Sequence, residues 1–118
     1  MSKVAGQVVQ VITTIDSEAG ARAIARLVVE SHLAACAQVY GPLTSVYWWQ
    51  GRVEETTEWA CLCKTLAANY DALERLIKAH HPYTVPEILA VPVSAGNPDY
   101  LNWLGENATP GTAGSGGT

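Results

Sequence analysis

Hydrophobic and polar positions divide the chain into stretches of different period. Gln7 to Ile15 is rich in Val, Ile and Thr, which predicts a buried strand. Asp16 or Ser17 then offers a side-chain oxygen that can cap a helix. Ile24, Leu27 and Val28 recur inside it at helical spacing, while Glu18 and Arg22 form an i,i+4 pair on the outer face, so the helix runs to about His32.

From Leu33 to Leu66 the period changes to two. Val53, Glu55, Thr57, Trp59, Cys61 and Cys63 alternate with Glu54, Thr56, Glu58, Ala60, Leu62 and Lys64. Two long strands are predicted around a turn at Gln50-Gly51, the first carrying a bulge or bend at Gly41-Pro42. The return strand is apolar toward Leu66 and polar toward the turn, so the tip should protrude or meet a partner.

Asn69 is the predicted cap of a second helix. Tyr70, Leu73, Leu76 and Ile77 form its inward stripe, with Asp71-Arg75 and Glu74-Lys78 as outward pairs, and Pro82 ends it because the residue before a proline is pushed out of helical geometry. "EILAVPVSAG" after Pro86 reads as a fourth strand, which Pro92 assigns to an edge or a bulge. A third helix begins at Asn97 or Pro98, with Tyr100, Trp103 and Leu104 on one side. Residues 1–107 are expected to form one domain, and the Gly, Ser and Thr of 108–118 a disordered tail.

Strand, helix, strand, strand, helix, strand is the βαββαβ ferredoxin-like arrangement of the α+β class, here with an added C-terminal helix. That arrangement hosts many functions, so the function must come from particular side chains.

Composition narrows the classes. At 118 residues one domain is favoured, and the apolar share of 48% against 15% charged gives a real core and leaves apolar surface that an oligomer could cover. The seven Lys and Arg are scattered and the net charge is -4, so no basic stripe exists for a nucleic acid. No run of about 18 apolar residues is present, so no membrane partner is expected. Three cysteines and no export signal lead to the expectation of a cytoplasmic protein with free thiols.

Adjacent His80 and His81 invite a metal, since imidazole is a common ligand for transition metals. Adjacent side chains diverge on a helix and oppose each other on a strand, however, and a histidine ending a helix also suits the negative end of its dipole. Cys61 and Cys63 should face the same way in their strand with thiols roughly 7 Å apart, too wide for a shared metal or a disulfide. The simpler reading makes both of them small core residues. Cys36 stands four residues after His32, a chelating spacing only on a helix. Glu54, Glu55 and Glu58 near the turn read as a solvated face, and Lys64, ending an apolar strand, must emerge or find a carboxylate. No nucleophile elbow, phosphate loop or HExxH occurs, so no enzyme is expected.

"LAACAQV" after the first helix, "TSVYWWQGRVEE" at the hairpin, "CKT" at its end, "HHPYTVPEI" after the second helix and "GNPDYLNWL" follow one another in a chain that resembles the CutA divalent-cation tolerance proteins from about Val8 to Trp103. The resemblance implies a ferredoxin-like subunit in a tight homotrimer and a link to tolerance of copper and other divalent metals. It also implies a copper site from the paired histidines and a first-strand cysteine, where this chain has Thr13; Gln50 stands where many members carry Glu. The expected site is therefore His80 and His81, with Cys36 or Glu87 of the same or a neighbouring chain, binding copper or another divalent cation that folding does not require. The alternative is a trimeric sensor in which Trp49, Lys64, Tyr83 and Glu87 line an intersubunit cleft, Lys64 pairing an anionic ligand.

Overall fold

In the computed structural model, which describes residues 7–111, the chain forms β1 (Val8–Ile15), α1 (Glu18–Glu30), β2 (Cys36–Trp49), β3 (Arg52–Leu66), α2 (Tyr70–His80), β4 (Ile88–Pro92) and α3 (Pro98–Asn107). The strands make one antiparallel sheet in the order β2-β3-β1-β4. Pro92 lies in an edge strand, where its missing N–H costs no ladder bond.

Helix starts follow from capping chemistry. Ser17, not Asp16, caps α1, its Oγ accepting the Gly20 N–H at 2.9 Å. Asn97 caps α3 by accepting the Asp99 N–H at 2.9 Å, with Pro98 in the first turn. Asn69 occupies the cap position of α2 but its side chain makes no capping bond. Its amide instead donates to Thr65 Oγ1 at 3.0 Å and to the Ala108 carbonyl at 2.7 Å, tying the end of α3 to the end of β3. Ala108, assigned from the sequence to the tail, is buried; 112–118 lie outside the described residues. Of the outward pairs, Glu18-Arg22 closes at 2.9 Å, whereas Asp71-Arg75 and Glu74-Lys78 are not among the ion pairs of the described residues.

Alternation along β1 and β3 creates two unlike faces. Val9, Val11, Thr13 and Ile15 share a face with Trp59, Cys61, Cys63 and Thr65, because the register pairs Val11 with Cys63 and Thr13 with Cys61. Ile24 and Val28 of α1 and Leu73 and Ile77 of α2 pack on this face and complete the main core. On the other face α3 covers only the Val8 and Leu66 end, through Leu101 and Leu104. Leu89 and Val91 remain exposed.

β1 pairs with β3 only from Trp59 to Leu66, so Arg52 to Glu58 pairs with β2 alone. The outer hairpin is consequently a two-stranded ribbon that draws the molecule out to 47 × 29 × 22 Å. Val46, Trp48 and Val53 on it are exposed, Trp48 to 74%. Gln50 and Gly51 at its tip have φ of 52° and 79°, the positive pair that a two-residue type I′ turn needs. Between Tyr40 and Leu43 the β2 strand carries one residue more than β3 and bulges. Gly41 has φ 154° there, and a Cβ would lie 2.7 Å from Trp59 Cδ1 and 3.0 Å from the Glu58 carbonyl.

These two positions predict effects of opposite sign. Gly41→Ala should lower unfolding stability by about 1–3 kcal/mol through strain and clash, whereas Gln50→Gly should leave it unchanged or raise it by up to about 1 kcal/mol by relieving a left-handed non-glycine. Urea unfolding followed by tryptophan fluorescence measures both.

Candidate functional site: the cleft between hairpin and loop

Helix α2 ends at His80 because Pro82 forces His81 into extended geometry, with φ -95° and ψ 135°. The two rings part at that point. His80 is exposed, and its Nδ1–H donates to the Leu76 carbonyl at 3.1 Å, which leaves Nε2 free. His81 is buried and uses both nitrogens: Nε2–H donates to the Thr14 carbonyl at 2.9 Å, and Nδ1 accepts the Tyr83 N–H at 3.2 Å. The hydrogen bonds select one neutral tautomer and occupy the lone pair that a metal would need.

Tyr83 carries the connection onward. Its ring meets His81 edge-on, with centroids 4.7 Å apart, and its hydroxyl donates to Glu58 Oε2 at 2.6 Å. Burial, then the bond to Glu58 and the charge beside it, push the Tyr83 phenol well above its ordinary range, so it remains a donor. Glu58 is only 6% exposed. Thr14, His81, Tyr83 and Glu58 thus bind the loop after α2 to the end of β1 and to the middle of β3, where its pairing with β1 stops.

Between that loop and the hairpin ribbon lies an open cleft of about 730 Å³. Trp48, Trp49, Tyr83 and Val85 give it apolar walls, and its charged side chains are Glu58 and Glu87. Among the described residues no Lys, Arg or His lines it.

The structure sorts the sequence-predicted residues accordingly. Trp49, Tyr83 and Glu87 come together in the cleft. Lys64 does not: it lies six residues along β3 from Glu58, and its ammonium donates to Gln38 Oε1 on β2 rather than to a carboxylate. Within one chain Lys64 therefore stands apart from Trp49, Tyr83 and Glu87, and the expected cleft would need the Lys64 of a neighbouring subunit to join them. Cys36 pairs with Lys64 at the far end of the sheet, whereas the Thr14 that holds His81 pairs with Ala60, four residues or about 13 Å along β3. Cys36 therefore does not join the histidines within one chain. Its thiol lies 3.5 Å from the Tyr100 hydroxyl, and that contact, with burial, pushes the phenol up to about 12. His32 does not reach Cys36 either; its Nδ1–H donates to the Asn107 carbonyl at 2.9 Å. Among the described residues no three His, Cys, Asp or Glu side chains converge on a point that could hold a metal. The histidine segment supplies one free nitrogen, so it does not fit a resident ion within one chain.

Sequence reasoning missed Glu58 by grouping it with the solvated glutamates of the turn. The available signal was its alternation with Ala60 and Leu62, which places it on the same face as two apolar residues. Cys61 and Cys63 also differ from expectation: the sulfurs are 3.9 Å apart, not about 7 Å, because the side chains lean toward each other from a common face.

Comparison with known proteins agrees with this geometry. The family model described as CutA1 divalent ion tolerance protein matches residues 9–107. A divalent-cation tolerance protein CutA of Thermus thermophilus is 50% identical over 97 residues, 82% of this chain and 94% of that one. The solved structure of the divalent cation tolerance protein (Cut A1) from Thermus thermophilus superposes with a TM-score of 0.83 at 48% identity, covering 85% of this chain and 97% of the other. The Archaeoglobus fulgidus structure named periplasmic divalent cation tolerance protein CutA gives 0.84 at 33% identity, covering 86% and 99%. With its fold, its hairpin and its histidine loop all inside the matched span, the chain belongs to the CutA1 divalent ion tolerance protein family.

Proposed function

We propose that this protein is a homotrimer of ferredoxin-like subunits, a cytoplasmic binding protein and not an enzyme, which acts in tolerance of divalent cations by holding cations in the cleft between the hairpin and the 82–87 loop. The cleft's charge carries the reading. Glu58 and Glu87 are acidic and, among the described residues, no basic side chain opposes them, so the site attracts cations and repels anions. Copper is the borderline cation that the exposed Nε2 of His80 would favour, weakly, with further ligands from a neighbouring subunit. Three free cysteines support a reducing compartment, in contrast to the periplasmic name of the Archaeoglobus relative.

Self-association is supported by what one chain leaves uncovered. Strands β2 and β4 are open edges, and a two-stranded ribbon is marginal alone, yet this one exposes Val46, Trp48 and Val53. A symmetric assembly covers these surfaces and brings a second chain to the cleft.

The cleft's size favours a second reading, in which the cation is organic. A volume of about 730 Å³ far exceeds a bare ion, and indole and phenol rings suit an ammonium or guanidinium group. In a thermal-shift screen, organic cations would then raise the melting temperature more than metal salts do, and anionic metabolites would not.

Sedimentation equilibrium should give three times the 12.6 kDa chain mass, and Trp48→Glu should shift it toward smaller species; a monomeric wild type at micromolar concentration refutes the trimer. Calorimetric titration with Cu²⁺ and Zn²⁺ should show Glu58→Gln weakening binding about tenfold, ~1.4 kcal/mol, with a smaller loss for His80→Ala. Indifference of both ions to Glu58→Gln would remove the cleft from the mechanism.

A further inference from the structure

The buried carboxylate of the cleft lacks a positive partner. Glu58 is only 6% exposed, and its one hydrogen bond among the described residues comes from the Tyr83 hydroxyl at 2.6 Å. The ion pairs of the described residues join Glu18 to Arg22 and Glu30 to Arg26, so Glu58 belongs to none. A carboxylate taken out of water without a counter-charge is costly, and native structures pair such groups.

The chain's own cations do not supply that charge. Arg52 and Lys64 each lie six residues from Glu58 along β3, in opposite directions, and six strand residues span about 20 Å. An arginine or lysine side chain falls well short of that. Arg75 and Lys78 are on α2, and neither lines the cleft. The missing cation therefore comes from outside the chain.

The walls decide which cation fits. Among the described residues no three His, Cys, Asp or Glu converge to hold a metal. Tyr47, Trp48, Trp49 and Tyr83 line the cleft with rings. Because Tyr83 both lines the cleft and bonds to Oε2 of Glu58, a cation on that carboxylate lies beside its phenol. Thr14, Ser45, Thr84 and Glu87 add side-chain oxygens that can accept hydrogen bonds. An ammonium is a compact, strongly hydrated point charge. A guanidinium is planar and more weakly hydrated, stacks on aromatic faces and carries five N–H donors, so it loses less on leaving water for such a site.

We propose that the cleft is a guanidinium site, in which the buried Glu58 carboxylate takes the charge and the aromatic walls stack on the plane. This rests on the cleft being a cation site and names its cation. A free arginine-like molecule and Arg52 of a second copy present the same group. Arg52 stands opposite Trp49 beside the protruding tip and belongs to no ion pair of the described residues.

Calorimetric titration of the full chain with argininamide and with lysinamide, alike except in the side-chain cation, tests the site. Argininamide should bind once per chain about tenfold more tightly than lysinamide, and Glu58→Gln should weaken it about tenfold. Binding to the wild type identifies a free ligand as the source; binding that appears only in Arg52→Ala identifies Arg52 of a second copy. Should Glu58→Gln not fold, a crystal of the binding chain with argininamide decides by whether the guanidinium lies within hydrogen-bond distance of Glu58. Lysinamide binding as tightly, argininamide binding neither chain, binding that appears only in Lys64→Ala, or indifference to Glu58→Gln overturns the proposal. Cu²⁺ or Zn²⁺ binding that depends on Glu58, with argininamide inert, would overturn the guanidinium and leave the cleft a cation site.

Discussion

The register between β1 and β3, Val8 with Leu66 through Ile15 with Trp59, is the constraint on which the rest of the molecule depends. It puts the odd-numbered residues of both strands on one face, and α1 and α2 cover that face because it carries Val9, Val11, Ile15, Cys61 and Cys63. A slip of one residue would turn that whole set outward, so burial itself holds the pairing in place. The register also stops at Trp59. Glu58 is the first residue of β3 that β1 no longer covers, and there the cleft opens.

The loop after α2 converts that strand end into a site. Pro82 separates the two histidines, and His81 turns back to the Thr14 carbonyl while Tyr83 reaches Glu58. A carboxylate on the boundary between covered sheet and free ribbon is thereby held by a phenol in place of a basic side chain. The cleft keeps its negative character, while Lys64, the cation that sequence reading associated with it, lies farther along β3 and bonds to Gln38 on β2. Six residues of β3 separate an acidic end from a basic one.

The histidine pair drew attention as a metal site, and its hydrogen bonds give the two rings different roles within one chain. His81 acts as a structural clasp, its two nitrogens committed to backbone groups on either side. His80 ends a helix and presents one nitrogen to solvent. The cysteines read as ordinary core residues bring their sulfurs to 3.9 Å, because neighbours on one strand face can lean together whereas consecutive residues diverge.

Local chemistry was readable from the chain alone. The strand and helix periods, the Gln50-Gly51 turn, the bulge at Gly41-Pro42, the caps at Ser17 and Asn97, the break at Pro82 and the family all rest on residues close in sequence, whose preferences act over a few positions. Tertiary structure alone decided what distant residues do to one another. It buried Glu58 against Tyr83, turned Asn69 from a cap into a tie to Ala108, kept Cys36 from the histidines and set Thr13 across from Cys61. Side-chain period states which face a residue takes, but which strand lies opposite, and where that strand ends, depends on pairings formed across dozens of residues.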